Sequence, residues 1–415
     1  MENPSLLTAL AGAFLAGEQT ADRVAERAAR TLGFPWPWLK PLAARYLTLE
    51  RPRRRDVVKL LRADPSLIRD RQKLRIVQWL HETPRMAARW KLPALETAGD
   101  LADWLRLLPA DLDWFAGDKA LGYRTPGPSP LNHYSYRTLT KSNGAIRLIE
   151  APKTRLKRLQ RRILTEVLDH IPSHPAAHGF VKGRSIQTFA APHTVQRIVL
   201  RMDLRDFFPS FPRSRIQAFF QTAGYPEEVA RLLGCLCTNA TPHAVAPDPI
   251  FRRPHLPQGA PSSPALANIC FYRMDRRLAG LAESAGAVYT RYADDVAFSG
   301  GDAFNRSADR FPIHVAAILS EEGFSVNHRK TRIMRQGVRQ HLAGLVANQR
   351  LNVARPDFDI LKAILTNCVR EGPESQNRES HPAFRQHLEG RINFVRSVNP
   401  ARGDRLRGMF DRIRW

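Results

Sequence analysis

Residues 287–299 read Ala-Val-Tyr-Thr-Arg-Tyr-Ala-Asp-Asp-Val-Ala-Phe-Ser, and this stretch decides the fold. The β-prone, alternating residues before Asp294 and the apolar residues after Asp295 predict two strands joined by a tight hairpin. The tip would carry two adjacent carboxylates, which repel each other. A divalent cation would relieve that repulsion, because hard metal ions take oxygen ligands. A solvated Asp-Asp turn is the alternative.

The composition favours a folded protein with a polyanionic partner. The chain has 415 residues, 43% hydrophobic and 25% charged, which is enough for more than one domain and a sizeable core. It carries 64 Lys and Arg against 39 Asp and Glu, a net charge of +25. A field of this sign attracts nucleic acid. A membrane surface is the rival, but the basic residues are spread along the chain and not gathered on one amphipathic helix.

The cysteines and the N-terminus indicate a cytoplasmic protein with no membrane partner. The four cysteines have no paired metal-ligand spacing, so we expect reduced thiols. The apolar stretch 6–15 is not preceded by a basic region, which argues against a signal peptide. No apolar run approaches the length of a membrane span.

The first 118 residues predict helices and contain no catalytic motif. Segments 5–16 and 20–32 have helical spacing of Ala and Leu, the second ending at Gly33. We expect a helical N-terminal extension that contacts RNA or a partner. Strands at 133–139 and 145–149, with a turn at Asn143-Gly144, then predict a hairpin. Arg147 on this hairpin could contact a phosphate or could simply be solvated.

Four later segments supply polar residues at informative places. Gly179–Ser185 contains Lys182 and Arg184, and His193 follows; all three are candidate RNA contacts, although a lone His is more often packed. The stretch 198–208 predicts a buried strand with Asp203 near its end, where α/β folds bind ligands; an N-cap role is the alternative. Gln258 lies in a Gly/Pro-rich loop that opens a helix predicted for 265–281, capped by Ser262 or Ser263.

The remaining segments complete the expected architecture. We expect a helix at 302–322, a strand at 340–346 and basic helices from residue 356 to residue 415, with a loop at 372–380.

Carboxylates at a strand end and on a hairpin suit nucleotidyl transfer. In that reaction a 3′-hydroxyl attacks the α-phosphate of a nucleoside triphosphate, and two divalent ions held by Asp residues assist both the attacking and the leaving oxygen. Asp203 and Asp294 are 91 positions apart (294 − 203), so only the fold can bring them together.

In order, the motifs resemble the reverse transcriptase palm. Met202–Phe208 is similar to its first motif, Pro257–Pro264 to its second, and Tyr292–Asp295 to its third. Gly323-Phe324 with Asn327 and Lys330-Thr331 is similar to the fourth. The resemblance implies an α+β, right-hand polymerase with fingers, palm and thumb. It places the helical extension at 1–118, fingers and palm at 119–348, and a helical thumb at 349–415.

The resemblance also implies roles for individual residues. Asp203, Asp294 and Asp295 would be catalytic and would bind two Mg²⁺ ions, for which Mn²⁺ could substitute. Phe208 would exclude ribonucleotides, Gln258 would line the nucleotide pocket, and Lys330 would lie near the pyrophosphate. Arg147 would contact the triphosphate of the incoming deoxynucleoside triphosphate.

Within that family the chain resembles the bacterial retron-type enzymes. Phe189–His193 matches their Asn-Ala-x-x-His element at Ala190 and His193 but lacks the Asn, and Leu342–Val346 keeps only the Gly of Val-Thr-Gly. The resemblance implies a structured non-coding RNA as template and primer, 2′-hydroxyl priming, branched RNA-linked single-stranded DNA, and anti-phage defence with an effector protein.

Three alternatives stay open. Other compact defence-associated or group II intron-like reverse transcriptases share the motifs, although the latter usually continue beyond the thumb, and this sequence ends at Trp415. A non-catalytic RNA-binding protein would have no use for three clustered carboxylates. A metal-dependent nuclease would have no use for nucleotide-selecting residues such as Gln258 and Phe208.

Overall fold

The computed structural model describes residues 4–16, 18–49, 52, 54–78, 80, 90–117, 133–140, 146–246 and 248–415. The expected Asn143-Gly144 turn and the boundary at residues 118 and 119 lie outside this part. The chain divides into two compact units, the first comprising Met1–Pro172 and Phe208–Cys270, and the second Ser173–Phe207 and Phe271–Trp415. No described helix is both long and apolar enough to span a bilayer.

The N-terminal part of the first unit is helical, as the sequence predicts. Thr20 caps the second helix, and Gly33 ends it in the left-handed conformation (φ +72°), which glycine adopts without strain. Leu10, Phe14 and Leu39 are central to the core of these helices. The helices are α1 (Pro4–Leu15), α2 (Ala21–Leu32), α3 (Leu39–Leu47), α4 (Arg54–Arg62), α5 (Pro65–Asp70), α6 (Ala98–Leu105) and α7 (Pro109–Ala116).

The rest of the first unit combines an antiparallel hairpin with helices. Strands β1 (Tyr134–Thr140) and β2 (Ile146–Pro152) pair in the register Tyr136 opposite Glu150. Within the described residues, neither the Ser262 nor the Ser263 hydroxyl accepts a capping hydrogen bond from the helix that follows the Gln258 loop. The helices are α8 (Thr154–Glu166), α10 (Arg213–Ala223), α11 (Glu227–Cys237), α12 (Pro249–Arg252) and α13 (Ser263–Cys270). Helix α9 (Ile186–Ala190) lies in the second unit.

The second unit is built on an antiparallel sheet around β3 (Ile198–Arg205). One edge of β3 pairs with β5 (Asp295–Gly300), which pairs with β4 (Ala287–Tyr292); the other edge pairs with β6 (Ser325–Val326) and β7 (Arg332–Arg335). The helix expected at 302–322 is two helices, α15 (Asp302–Ser307) and α16 (Phe311–Glu321). Helix α14 (Tyr272–Ser284) also belongs here, so the helix expected at 265–281 is interrupted at Phe271.

The C-terminal segment of the second unit starts with short strands. The strand expected at 340–346 is a small hairpin of β8 (His341–Leu342) and β9 (Leu345–Val346), with β10 (Asn352–Val353) on the other side of β9. The bend falls at Ala343 and Gly344, which both have positive φ. Helices α17 (Arg355–Glu371), α18 (Phe384–Val398) and α19 (Pro400–Phe410) share a core that includes Leu365, Leu388 and Leu406.

Candidate active site

Three carboxylates meet at one end of the sheet in the second unit. Asp203 on β3 lies directly opposite Asp295 on β5. The turn between β4 and β5 consists of Ala293 and Asp294, and the Asp294 carbonyl accepts a hydrogen bond of 2.9 Å from the Leu204 amide. The sheet register therefore brings together residues that the sequence separates by 91 positions (294 − 203). Asp203 does not cap a helix, because α10 begins only at Arg213.

The carboxylates of this group destabilise one another when charged. The pKa of Asp294 is raised to about 6, mainly by burial and in part by the neighbouring charges of Asp203 and Asp295. Burial also raises the pKa of Asp295, although Arg201 opposes that shift. The site therefore holds more negative charge than its protein environment compensates, which suits a bound cation.

Two of the three carboxylates already have cationic partners. The Arg201 guanidinium donates to both oxygens of Asp295, with Nη2 at 2.8 and 2.9 Å. Lys330 Nζ donates to Asp203 Oδ2 at 2.9 Å, and Asn327 Nδ2 donates to Asp203 Oδ1 at 3.2 Å. Among the described residues, no Lys or Arg side chain forms an ion pair with Asp294.

These ion pairs bear on the fit of a metal. Within the described ranges, no three Asp, Glu, His or Cys side chains converge as a ready set of metal ligands. The all-carboxylate donor set is nevertheless the type that Mg²⁺ and Mn²⁺ prefer. Lys330 is half exposed, so its side chain has solvent on one side and is not enclosed beside Asp203. The residues present therefore fit divalent ions after a side-chain rearrangement.

A buried ion pair supports the hairpin that carries Asp294. Arg291 on β4 and Asp275 on α14 are both fully buried and form two hydrogen bonds of 2.8 Å. Arg291 Nη1 also donates to the carbonyl of Ala293 at 3.1 Å, and Ala293 has a φ of +55°. A Cβ on Gly179 would lie 2.6 Å from the Ala293 amide nitrogen. The turn is thus held from two sides.

Sequence analysis missed the side chains that organise the carboxylates. Arg201 was not singled out, since its pairing with Asp295 depends on sheet register. Arg291 and Asp275 were not singled out either. A signal existed for Arg291, because it is a charged residue within an otherwise apolar strand next to Asp294.

The three candidate RNA contacts have different surroundings. Lys182 is exposed. Arg184 donates to the backbone carbonyls of Pro175 and Ala177, which gives it a structural partner. His193 is wholly buried, and its ring nitrogens bind the hydroxyls of Ser299 and Thr290 at 2.6 and 2.7 Å. Burial lowers the pKa of His193 to about 3, so the ring is neutral and enclosed by its neighbours. Its contact with RNA stays a prediction.

The other candidate residues lie in the first unit. Arg147 is exposed on β2, and Phe208 is partly buried. The Gln258 carbonyl accepts a hydrogen bond of 2.9 Å from the Glu150 amide, so the Gln258 loop lies beside the strand that carries Arg147. Lys330, in contrast, lies with the carboxylates in the second unit.

The sheet, its carboxylates and the motif order agree with a match to a known family. The chain belongs to the reverse transcriptase family, whose model, reverse transcriptase (RNA-dependent DNA polymerase), matches residues 139–361. This membership confirms the expected α+β, right-hand polymerase fold. Within the family the chain is of the bacterial retron type, as the following relatives show.

The curated relatives are retron reverse transcriptases. Retron Mx65 reverse transcriptase of Myxococcus xanthus is 43% identical over 281 residues, covering 66% of this chain and 64% of the relative. Retron Mx162 reverse transcriptase of the same organism is 35% identical over 328 residues, covering 75% and 66%. Retron Ec86 reverse transcriptase of Escherichia coli is 31% identical over 262 residues, covering 63% and 74%. The chain thus spans slightly less than two thirds of the first two relatives.

Proposed function

We propose that this protein is an RNA-directed DNA polymerase. The observation that carries the proposal is the meeting of Asp203, Asp294 and Asp295 at one sheet end in a chain of the reverse transcriptase family. In the proposed reaction the oxygen of a primer hydroxyl forms a bond to the α-phosphorus of a deoxynucleoside triphosphate. The bond from that phosphorus to the bridging oxygen breaks, and pyrophosphate leaves.

The carboxylates would hold two Mg²⁺ ions, with Mn²⁺ able to substitute. When bound, the ions supply Lewis-acid assistance to the attacking and leaving oxygens. Asp294 has no cationic side-chain partner among the described residues, so its charge is available to a metal. Lys330 would leave Asp203 and contact the departing pyrophosphate, a movement that its half-exposed side chain permits.

The residues of the first unit would select and hold the nucleotide. Arg147, an exposed cation on β2, would bind the triphosphate, since guanidinium groups pair well with phosphate oxygens. Gln258 would line the nucleotide pocket, and Phe208 would pack where a ribose 2′-hydroxyl would otherwise fit. The proposed domains are a helical extension at 1–118, fingers and palm at 119–348, and a thumb at 349–415.

The retron membership supports a particular substrate. We propose that a structured non-coding RNA serves as template and, through a 2′-hydroxyl, as primer, and that the product is branched RNA-linked single-stranded DNA. Lys182, which is exposed, would contact the RNA backbone. The proposed setting is anti-phage defence in the cytoplasm, together with an effector protein.

Expression of the gene with its native flanking DNA in bacteria tests this proposal. Nucleic acid would be extracted and examined for a discrete short DNA, before and after debranching and RNase treatment. We expect a branched DNA that is absent for Asp294→Asn and present for the matched surface variant Asp309→Asn. If purified protein extends a primer on RNA but no branched DNA forms, the retron product is wrong and the polymerase stands. If neither occurs with Mg²⁺ or Mn²⁺, the catalytic proposal fails.

A further inference from the structure

A buried carboxylate organises the part of the first unit that carries Arg147 and Gln258. Glu150 on β2 is 1% exposed. Its Oε1 accepts hydrogen bonds from Asn239 Nδ2 at 2.8 Å and Thr241 Oγ1 at 2.7 Å, and its Oε2 lies 3.0 Å from His255 Nε2. Both carboxylate oxygens are therefore bound by side chains from the segment 239–255.

The His255 ring is held by two oxygen acceptors. Nδ1 lies 2.7 Å from the Arg253 carbonyl, while Nε2 faces Glu150. Both ring nitrogens therefore face an oxygen, one from the backbone and one from the Glu150 carboxyl group. The backbones of His255 and Asn239 also exchange two hydrogen bonds of 2.9 Å. The network thus joins β2 to both ends of the segment 239–255.

The backbone of Glu150 fixes the position of the Gln258 loop. Its amide donates to the Gln258 carbonyl at 2.9 Å. The next residue, Gly259, has a φ of +134°, and a Cβ there would lie 2.9 Å from the Glu150 carbonyl oxygen. Only glycine permits this approach. Glu150 therefore binds the segment 239–255 through its side chain and the Gln258 loop through its backbone.

Packing alone does not require a carboxylate at this position. Alternate residues of β2 face inwards, and Leu148 fills the preceding inward position with an apolar side chain. Burying a carboxyl group and the polar groups around it is costly compared with burying apolar residues of similar volume. What the carboxylate adds is direction, since its four lone-pair sites fix the surrounding donors.

We propose that Glu150, supported by His255, is a positioning residue that sets the spacing between Arg147 and Gln258 for an incoming deoxynucleoside triphosphate. Arg147 lies three residues before Glu150 on the same strand and faces outwards. Gln258 is bound to the Glu150 amide. This inference rests on the proposed function, in which Arg147 and Gln258 contact the nucleotide.

Steady-state primer extension with Glu150→Ala and Glu150→Gln tests the positioning role. The Gln side chain can accept from Asn239 and Thr241 and donate to His255, so it preserves the network. We expect Glu150→Ala to raise the KM for deoxynucleotides about tenfold or more, with kcat and primer–template affinity little changed. Glu150→Gln and the exposed control Glu228→Gln should stay within about twofold of the unaltered protein.

A double variant distinguishes positioning from general destabilisation. If Glu150 acts through Arg147, the two effects should not be independent. The KM of the double variant Glu150→Ala, Arg147→Ala should then lie well below the value obtained by multiplying the fold increases of the two single variants. All assays would be run at least about 10 °C below the measured melting temperature of each variant, so that the folded protein predominates in every assay. Thr241→Val, which removes one hydrogen bond, serves if Glu150→Ala does not fold.

Hydrogen exchange of residues 148–151 and 255–262 gives a readout that needs no activity. Protection of the Glu150 amide should be lost in Glu150→Ala and kept in Glu150→Gln. Unchanged KM and unchanged protection in Glu150→Ala, or in Thr241→Val if that replaces it, would overturn the inference. If Arg147→Ala and Gln258→Ala leave KM unaltered, the nucleotide contacts proposed for these two residues are wrong. If the unaltered protein makes no DNA, the proposed function fails. In both cases the exchange data still decide whether Glu150 fixes the loop.

Discussion

Asp294 is the carboxylate of the site whose negative charge the described side chains compensate least. Its side chain has no cationic partner among the described residues, whereas Asp203 and Asp295 each have one. Burial and two like charges raise its pKa to about 6. The same features that destabilise the charged form prepare it for a divalent ion, since a cation would compensate the excess charge.

Asp294→Asn should abolish DNA synthesis and stabilise the metal-free protein. A carboxyl group whose pKa is higher in the folded state than in the unfolded state favours folding when protonated. The free energy of unfolding should therefore fall as pH rises from about 4 to about 6, by about 2 kcal/mol in total. In Asp294→Asn this decrease should be smaller, which urea titrations at pH 4.5 and 7.5 in EDTA would measure.

The same variant separates catalysis from binding. The RNA affinity of Asp294→Asn should stay within a few-fold of that of the original protein. Removing one negative charge changes the attraction to RNA little in a chain with 64 Lys and Arg residues. Asp309→Asn is the control for charge removal at an exposed site. Parallel loss of RNA affinity and of synthesis would instead assign a structural role to Asp294.

Phe208→Val should admit ribonucleotides. A smaller side chain would leave room for the 2′-hydroxyl, so the ratio of kcat/KM for ribonucleotides to that for deoxynucleotides should rise at least about tenfold. Phe219→Val, a change at another partly buried Phe of the first unit, is the matched control. Single-nucleotide incorporation on an RNA template would measure both ratios, and an unaltered ratio for Phe208→Val would remove Phe208 from sugar selection.

At the scale of elements, the turn of the β4–β5 hairpin is supported by Arg291, which lies outside the turn itself. Ala293 adopts a positive φ that disfavours residues with a Cβ. Arg291 binds the Ala293 carbonyl and is itself fixed by Asp275 on α14. The aromatic ring of Phe271 lies 4.5 Å from the Arg291 guanidinium carbon. The turn geometry is therefore maintained by packing from a helix and not by turn propensity alone.

Arg291→Met should destabilise the protein strongly. It leaves the Asp275 carboxylate buried without its cation, and breaking a buried pair in this way costs about 3–5 kcal/mol. The double variant Arg291→Met, Asp275→Leu removes both charges and should recover part of that loss. Urea-denaturation midpoints would measure both changes.

An exposed ion pair provides the control for this comparison. Arg335 and Asp309 form a salt bridge at 3.1 Å with both side chains more than half exposed. Arg335→Met should cost less than about 1 kcal/mol. Equal losses for Arg291→Met and Arg335→Met would show that the buried pair has no special role in the hairpin.

At the scale of the whole molecule, the net charge of +25 sets the response to salt. Nucleic-acid binding that neutralises several phosphates releases counterions, so affinity falls with ionic strength. RNA affinity of the inactive Asp294→Asn variant should drop at least about a hundredfold between 50 and 200 mM salt. Fluorescence anisotropy would measure this. A nearly flat salt dependence would mean that few of the basic residues contact phosphates.

Local sequence patterns were sufficient to predict several strands and helix ends. Alternation predicted the strands that flank Asp294, and Gly33 marked the end of α2. These features depend on neighbours within a few positions, so one sequence contains their whole signal. The order of the motifs likewise led to the reverse transcriptase family, whose model matches more than half of the chain.

Which groups meet and which are buried depends on contacts between segments that are distant in the sequence. Arg201 and Asp295 are 94 positions apart, and their pairing follows from the register of β3 against β5. His193 has the spacing of a family motif, yet it packs between Ser299 and Thr290 and is inaccessible. No Gly or Pro next to Phe271 predicts the break between α13 and α14. The Phe271 ring packs against Phe324, with 5.0 Å between the ring centroids. Such contacts join distant segments, and their energies are fixed by burial and register, which no local pattern encodes.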